Sequence, residues 1–210
     1  MKFAVLAIDA LPLAVVPTLR LRLAIDAGDR PLRGITLGVR VNIHAERRRY
    51  GEEEAERLRE VFGPPEQWGR SLGSLPWTQS TVHVGPFAGA TVVEARVPCS
   101  YDFEVAASKY LCALEDGEIP LELLFDGTLF WSGADGRLQS AMVPWDREAS
   151  ARLPLSVWSE AMRAAFGDAP WIRLQREVFA RLQAERSRRG LTSWEDTIDA
   201  LLREAGSRVA

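Results

Sequence analysis

Residues 19–25, Leu19-Arg20-Leu21-Arg22-Leu23-Ala24-Ile25, and residues 35–43, Ile35-Thr36-Leu37-Gly38-Val39-Arg40-Val41-Asn42-Ile43, decide the fold class. In the first, Leu19, Leu21, Leu23 and Ile25 share one face while Arg20 and Arg22 take the other. In the second, Ile35, Leu37, Val39, Val41 and Ile43 stand against Thr36, Arg40, Asn42 and His44. Side chains of a strand alternate between two faces, so this pattern specifies two half-buried strands of antiparallel type. Gly28-Asp29-Arg30-Pro31 forms their connection, and Phe3 to Ile8 reads as an earlier strand ended by Pro12.

Further along, residues 52–62 change period. Glu52, Glu53 and Glu54 load the first turn of a helix, where its dipole favours negative charge; Ala55, Leu58, Val61 and Phe62 form its apolar stripe, and Gly63-Pro64-Pro65 stops it. Strands resume over 79–84 and 91–97, and Phe103 to Leu114 reads as a second helix capped by Ser100 and ended by Gly117. Residues 121–131 and 138–143 are two more strands, with Gly127 predicted to mark a bulge. After Pro144 the pattern is helical: one apolar face runs from Val157 to Phe166, a second from Leu174 to Leu182, a third from Trp194 to Ala205, the last opened by a Thr192/Glu195 capping box. The expectation is an α+β chain. Residues 1–145 form an antiparallel, immunoglobulin-like β-sandwich of about seven strands with two inserted helices, and residues 146–210 form a three-helix region packed on it.

Composition acts by exclusion. The chain has 210 residues, 47% apolar and 26% charged, with net charge −3, which suits a folded domain with its own core. Charge is −5 over residues 1–150 and +2 over 151–210, so neither part carries the positive excess that nucleic-acid binding needs. Asp9 and Pro12 interrupt the only leader-like segment, and no apolar run is long enough to insert in a membrane; the chain is expected to be cytoplasmic and unprocessed. Two cysteines, Cys99 and Cys112, and two histidines, His44 and His83, match no zinc spacing, and no phosphate-binding glycine motif occurs. No metal or cofactor is expected. Both histidines are predicted on solvent-facing strand positions and both thiols in buried structural ones. The chain is therefore read as leaning away from enzymes.

Two features remain. Arg47-Arg48-Arg49-Tyr50 is the sharpest charge run, and it precedes the acidic helix start that could neutralise it. Seven tryptophans, Trp68, Trp77, Trp131, Trp145, Trp158, Trp171 and Trp194, recur near element ends. They either dock the C-terminal helices onto the strands or form a contact surface, because aromatic and Arg side chains are what interfaces enrich.

The same segments carry a resemblance. Arg47-Arg48-Arg49-Tyr50, then Glu54, Leu58, Phe62-Gly63, Trp68 and Trp77-Thr78, then Pro98-Cys99-Ser100-Tyr101-Asp102-Phe103, Asp116-Gly117-Glu118-Ile119-Pro120 and Val143-Pro144-Trp145-Asp146 are similar to a bacterial family of unknown function. That resemblance implies a gene setting beside actinobacterial-type, oxygen-tolerant [NiFe] hydrogenases. It implies an accessory, assembly or scaffolding role whose partner is a hydrogenase subunit or maturation factor, and it assigns no catalytic residue. The interaction candidates are Arg47, Arg48, Arg49, Tyr50, Trp68, Trp77, Tyr101, Asp102, Trp145 and Asp146. Two alternatives stay open: an enzyme or small-ligand site near Tyr101, Asp102, Trp145 and Asp146, and a structural subunit that self-associates. The oligomeric state is not legible from the sequence.

Overall fold

The two alternating stretches do form strands, but they belong to different sheets. A computed structural model describes residues 1–99, 105–167 and 174–207. The strands are β1 (Lys2–Ala10), β2 (Thr18–Asp26), β3 (Gly34–His44), β4 (Ser74–Val84), β5 (Ala90–Pro98), β6 (Glu118–Ser132), β7 (Leu138–Met142) and β8 (Glu148–Pro154). The helices are α1 (Glu52–Arg57), α2 (Arg59–Phe62), α3 (Trp68–Ser71), α4 (Ala106–Ala113), α5 (Leu155–Phe166), α6 (Arg176–Arg188) and α7 (Trp194–Ser207). One sheet has the order β1-β2-β5; the other runs β4-β3-β6-β7, with β8 also paired to β6. All pairings are antiparallel. The fold is thus the expected α+β, sandwich-like arrangement of two antiparallel sheets, with eight strands among the described residues.

The alternation explains the core. Leu19, Leu23, Ile25, Leu37, Val39 and Ile43 are fully buried, and the arginines between them are not. Each such side chain taken from water stabilises by about 1.5–3 kcal/mol before chain entropy is counted. Across the layers Phe3 stacks on Phe125 at 4.2 Å between ring centroids. At one end the connections are pinned: Leu32 and Phe87 exchange backbone hydrogen bonds of 2.8 and 3.1 Å, joining the β2–β3 and β4–β5 turns. The other end carries the insertion of α1, α2 and α3 and the segment leading through α4 to β6.

Several local expectations change. The helix predicted over 52–62 is two short helices broken at Leu58. Strand β4 starts at Ser74, five residues before the alternation becomes visible, because Pro76 lies where the β3–β4 register shifts and an edge strand tolerates it. Gly127 is not a bulge against β3, since that register is continuous. It adopts φ +128°, and a Cβ there would stand 2.0 Å from the Thr36 carbonyl oxygen, so only glycine fits. The segment expected to open the helical region instead begins with β8.

The chain divides into two compact units, residues 1–170 and 171–210. Helix α5 belongs to the first: Leu155, Trp158, Ala161 and Met162 are buried, and the helix touches β1, β2 and β8. The second is a hairpin of α6 and α7. Its turn contains Gly190 at φ +66°, and α7 is capped by Ser193, whose Oγ accepts the Asp196 N–H at 3.0 Å, rather than by Thr192.

Candidate functional site

Strand β3 runs out into Ala45–Arg47, a single 3-10 turn, and the Arg48–Tyr50 residues after it meet α1. Arg48 donates from Nη1 and Nη2 to the two oxygens of Glu54 at 3.1 and 2.9 Å, and from Nη2 to the Asp116 carbonyl at 2.6 Å. Glu54 also accepts the backbone N–H groups of Glu115 at 2.9 Å and Gly51 at 3.3 Å. The two side chains are only 9% and 6% exposed. Burial pushes the Glu54 carboxyl up, but the guanidinium and the two amides outweigh it and hold the group below its ordinary range. Of the three arginines, then, the acidic helix start captures Arg48 alone. The arrangement joins the α1–α3 insertion to the segment between α4 and β6.

Aromatic rings continue the same joint. Tyr50 donates to the Ala45 carbonyl at 2.6 Å, and the Tyr110 hydroxyl lies 3.0 Å from its own. Tyr50 meets Trp68 and Tyr110 edge-on, and Phe62 meets the same two rings in the same way. Trp68 donates its indole N–H to the Gly63 carbonyl at 2.9 Å. Burial raises both tyrosine hydroxyl pKa values. Tyr50, Trp68 and Arg48 are thus brought together, and what they hold is the protein itself.

Beside this joint lies a polar cluster that the alternation misplaced. His44 does stand on the outer face of β3, yet it is only 8% exposed. Its Nδ1 is 2.5 Å from Glu46 Oε1 and its Nε2 is 3.1 Å from Glu122 Oε2 on the neighbouring strand. Burial lowers the imidazole pKa, but the carboxylates of Glu122 and Glu46 together outweigh it and raise the pKa above its ordinary value. Glu46 and Glu122 thus flank the imidazole at its two nitrogens and favour its protonated form. Among the described residues no group of three or more His, Cys, Asp or Glu is placed to hold a metal ion. Cys99 is buried as predicted and its thiol is pushed up to about 12 by burial, whereas Cys112 is exposed, contrary to the expectation for it.

The remaining tryptophan of interest has the opposite character. Strand β6 pairs along one edge first with β8 and then with β7, and between those two the chain leaves the sheet. The turn is tied down at both ends, by Val143 N–H on Gly127 O at 2.9 Å and Phe125 N–H on Arg147 O at 3.0 Å. Trp145, in the middle, is 93% exposed. Leu138 and Met142, alternate positions on one face of β7, are also exposed. From Leu138 to Trp145 the chain contains no charged residue. Strand β7 is the terminal strand of its sheet, so one row of its backbone donors and acceptors faces outward.

The other candidates are dispersed. Arg47 and Arg49 are exposed, and Trp77 is half-buried within β4 rather than near its end. Asp146 is exposed, with Arg147 Nε 3.5 Å from it. Tyr101 and Asp102, like Trp171, lie outside the described residues. No helix of the described residues is long and apolar enough to cross a membrane.

A family model described as a family of unknown function, DUF6084, matches residues 1–210. The chain belongs to the DUF6084 family. No curated protein matches it. For this DUF6084 member, sequence reasoning singled out Trp145 but not the exposed Leu138 and Met142 beside it. Their signal was present as an eight-residue run without charge, and it read as an ordinary strand because its neighbour on the outer edge cannot be inferred from one sequence.

Proposed function

We propose that this protein is a non-enzymatic accessory protein that acts by protein–protein contact, and that its partner is a subunit or maturation factor of a [NiFe] hydrogenase. The observation that supports contact is the Leu138–Trp145 edge, where a free strand edge, two exposed apolar side chains and a 93% exposed indole adjoin without an intervening charge. An extended segment of a partner adds to β7 through backbone hydrogen bonds, and Trp145 anchors beside it in an apolar pocket. The hydrogenase assignment rests on the gene setting that the sequence resemblance implies. Arg48, Tyr50 and Trp68 serve to brace the insertion rather than to meet the partner.

Co-purification from a host expressing the hydrogenase tests this. Tagged wild-type chain should retain an identified hydrogenase subunit or maturation factor, and Trp145→Ser should lose it, since an anchoring Trp contributes at least about 2 kcal/mol to such an interface. Retention that is unchanged in Trp145→Ser refutes the site. Absence of any hydrogenase component, with hydrogen uptake unchanged after deletion, refutes the partner.

A further inference from the structure

The second compact unit is built on the α6–α7 hairpin, and two helices of this length bury too little apolar surface to stand alone. Inside the hairpin some contacts are well made. Phe179 packs on Trp194 at 5.3 Å between centroids, Arg186 lies over the same indole at 4.0 Å, and Thr197 is fully buried. Beside them an apolar stripe is left open: Leu174 and Val178 on one helix and its approach, Ile198 and Leu202 on the other, are 38–63% exposed, and Phe179, although it packs on Trp194, keeps 44% exposure. A groove of about 380 Å3 runs between the helices, lined by Val178, Arg181, Leu182, Glu185 and Leu201.

We propose that this face docks the same face of a second copy of the chain, the two hairpins closing into a four-helix bundle about a twofold axis. Charge selects that occupant and its arrangement. Over 176–189 the chain carries five arginines against two glutamates, and over 194–207 four carboxylates against one arginine. Within one hairpin the opposite signs already meet, Arg189 donating to both oxygens of Glu204 at 2.6 and 2.9 Å. In a twofold ring α6–α7–α6–α7 every helix again has a neighbour of opposite sign, and the like-signed helices lie on the diagonals. The surface is therefore complementary to itself in charge, and each groove faces the exposed leucine and isoleucine of the other copy. This interface uses none of the β7-edge residues and does not depend on the partner assigned there.

Light scattering or sedimentation equilibrium on the full chain tests the inference. Wild type should show concentration-dependent association to twice the 23.4 kDa chain mass. Leu202→Glu, at a position 63% exposed and so outside the hairpin's own packing, should weaken association by about 30-fold or more with unchanged helical circular dichroism. Leu13→Glu and Trp145→Ser, exposed apolar positions in the other unit, should leave it unchanged. A wild-type chain that stays monomeric up to ~100 μM overturns the proposal, meaning that the stripe is covered by its own chain or by a foreign partner. A dimer dissociated by Leu13→Glu or Trp145→Ser but not by Leu202→Glu overturns it equally.

Discussion

Replacing Arg48 by Met keeps an apolar stem of similar length while removing the guanidinium. Glu54 then keeps two backbone donors but loses its counter-charge at a side-chain exposure of 6%. Breaking a buried pair from one side costs about 3–5 kcal/mol, because the remaining charge stays desolvated. For a chain of this size each kcal/mol lowers Tm by about 2–4 °C, so R48M should melt roughly 6–20 °C below wild type near neutral pH. The cause can be separated from lost packing by acid. In wild type the depressed Glu54 pKa contributes stability above the unfolded value of ~4.3, and this is lost as pH falls through the folded value. In R48M the two backbone amides still favour the charged form but the guanidinium no longer does, so that pKa rises relative to wild type and protonation relieves part of the penalty. The gap between the two proteins should therefore narrow below about pH 4.5, measured by urea unfolding across pH. Exchanging both partners, R48M with E54Q, should recover at least half of the loss. A variant within about 1 kcal/mol of wild type, or a gap that does not change with pH, refutes the assignment of Arg48 and Glu54 as a charge-dependent joint.

Other outcomes follow from single residues. The raised His44 pKa contributes stability that is full below ~6.5 and lost as pH rises through the folded value. Combined with Glu54, this places maximum stability between roughly pH 4.5 and 6.5, and H44Q should flatten the alkaline slope in thermal melts. Gly127→Ala meets both the wrong φ and a backbone oxygen 2.0 Å away, and should cost at least about 3 kcal/mol. Gly28→Ala, at φ +68° with nothing within 4 Å, should cost only about 1–2 kcal/mol, both variants being compared with wild type by urea unfolding. A thiol reagent should modify the exposed Cys112 in the native protein and reach the buried Cys99 only after unfolding.

The strands that were easiest to read are those whose inward residues are large. β2 and β3 present Leu, Ile and Val at every second position, and their boundaries are close to those seen. β8 escaped because of its three inward residues, Ala149, Ala151 and Leu153, only the last is large, and one large side chain beside Ser150 and Arg152 does not mark an apolar face. His44 shows a different limit. Its parity was legible and its outer-face position is right, but Glu122 reaches it from a strand 78 positions away, numbering 122 against 44. Burial on the polar side of a sheet depends on such pairing. Among the candidate contacts, Arg48, Tyr50 and Trp68 stood out by composition alone, and composition cannot tell a residue that braces the fold from one that awaits a partner.

The break between β7 and β8 also sets a length scale. β6 extends for fifteen residues, about 50 Å at strand rise, and an unbroken neighbour would present an equally long free edge. The turn at Trp145 divides that edge into strands of five and seven residues, the longer one bearing Glu148 and Arg152 and lying against β1. A foreign strand can therefore lie in register for only about 17 Å. Long sheet-to-sheet stacking between chains, the route by which open β edges lead to fibres, is denied by geometry at the same place where a short recognition segment is admitted.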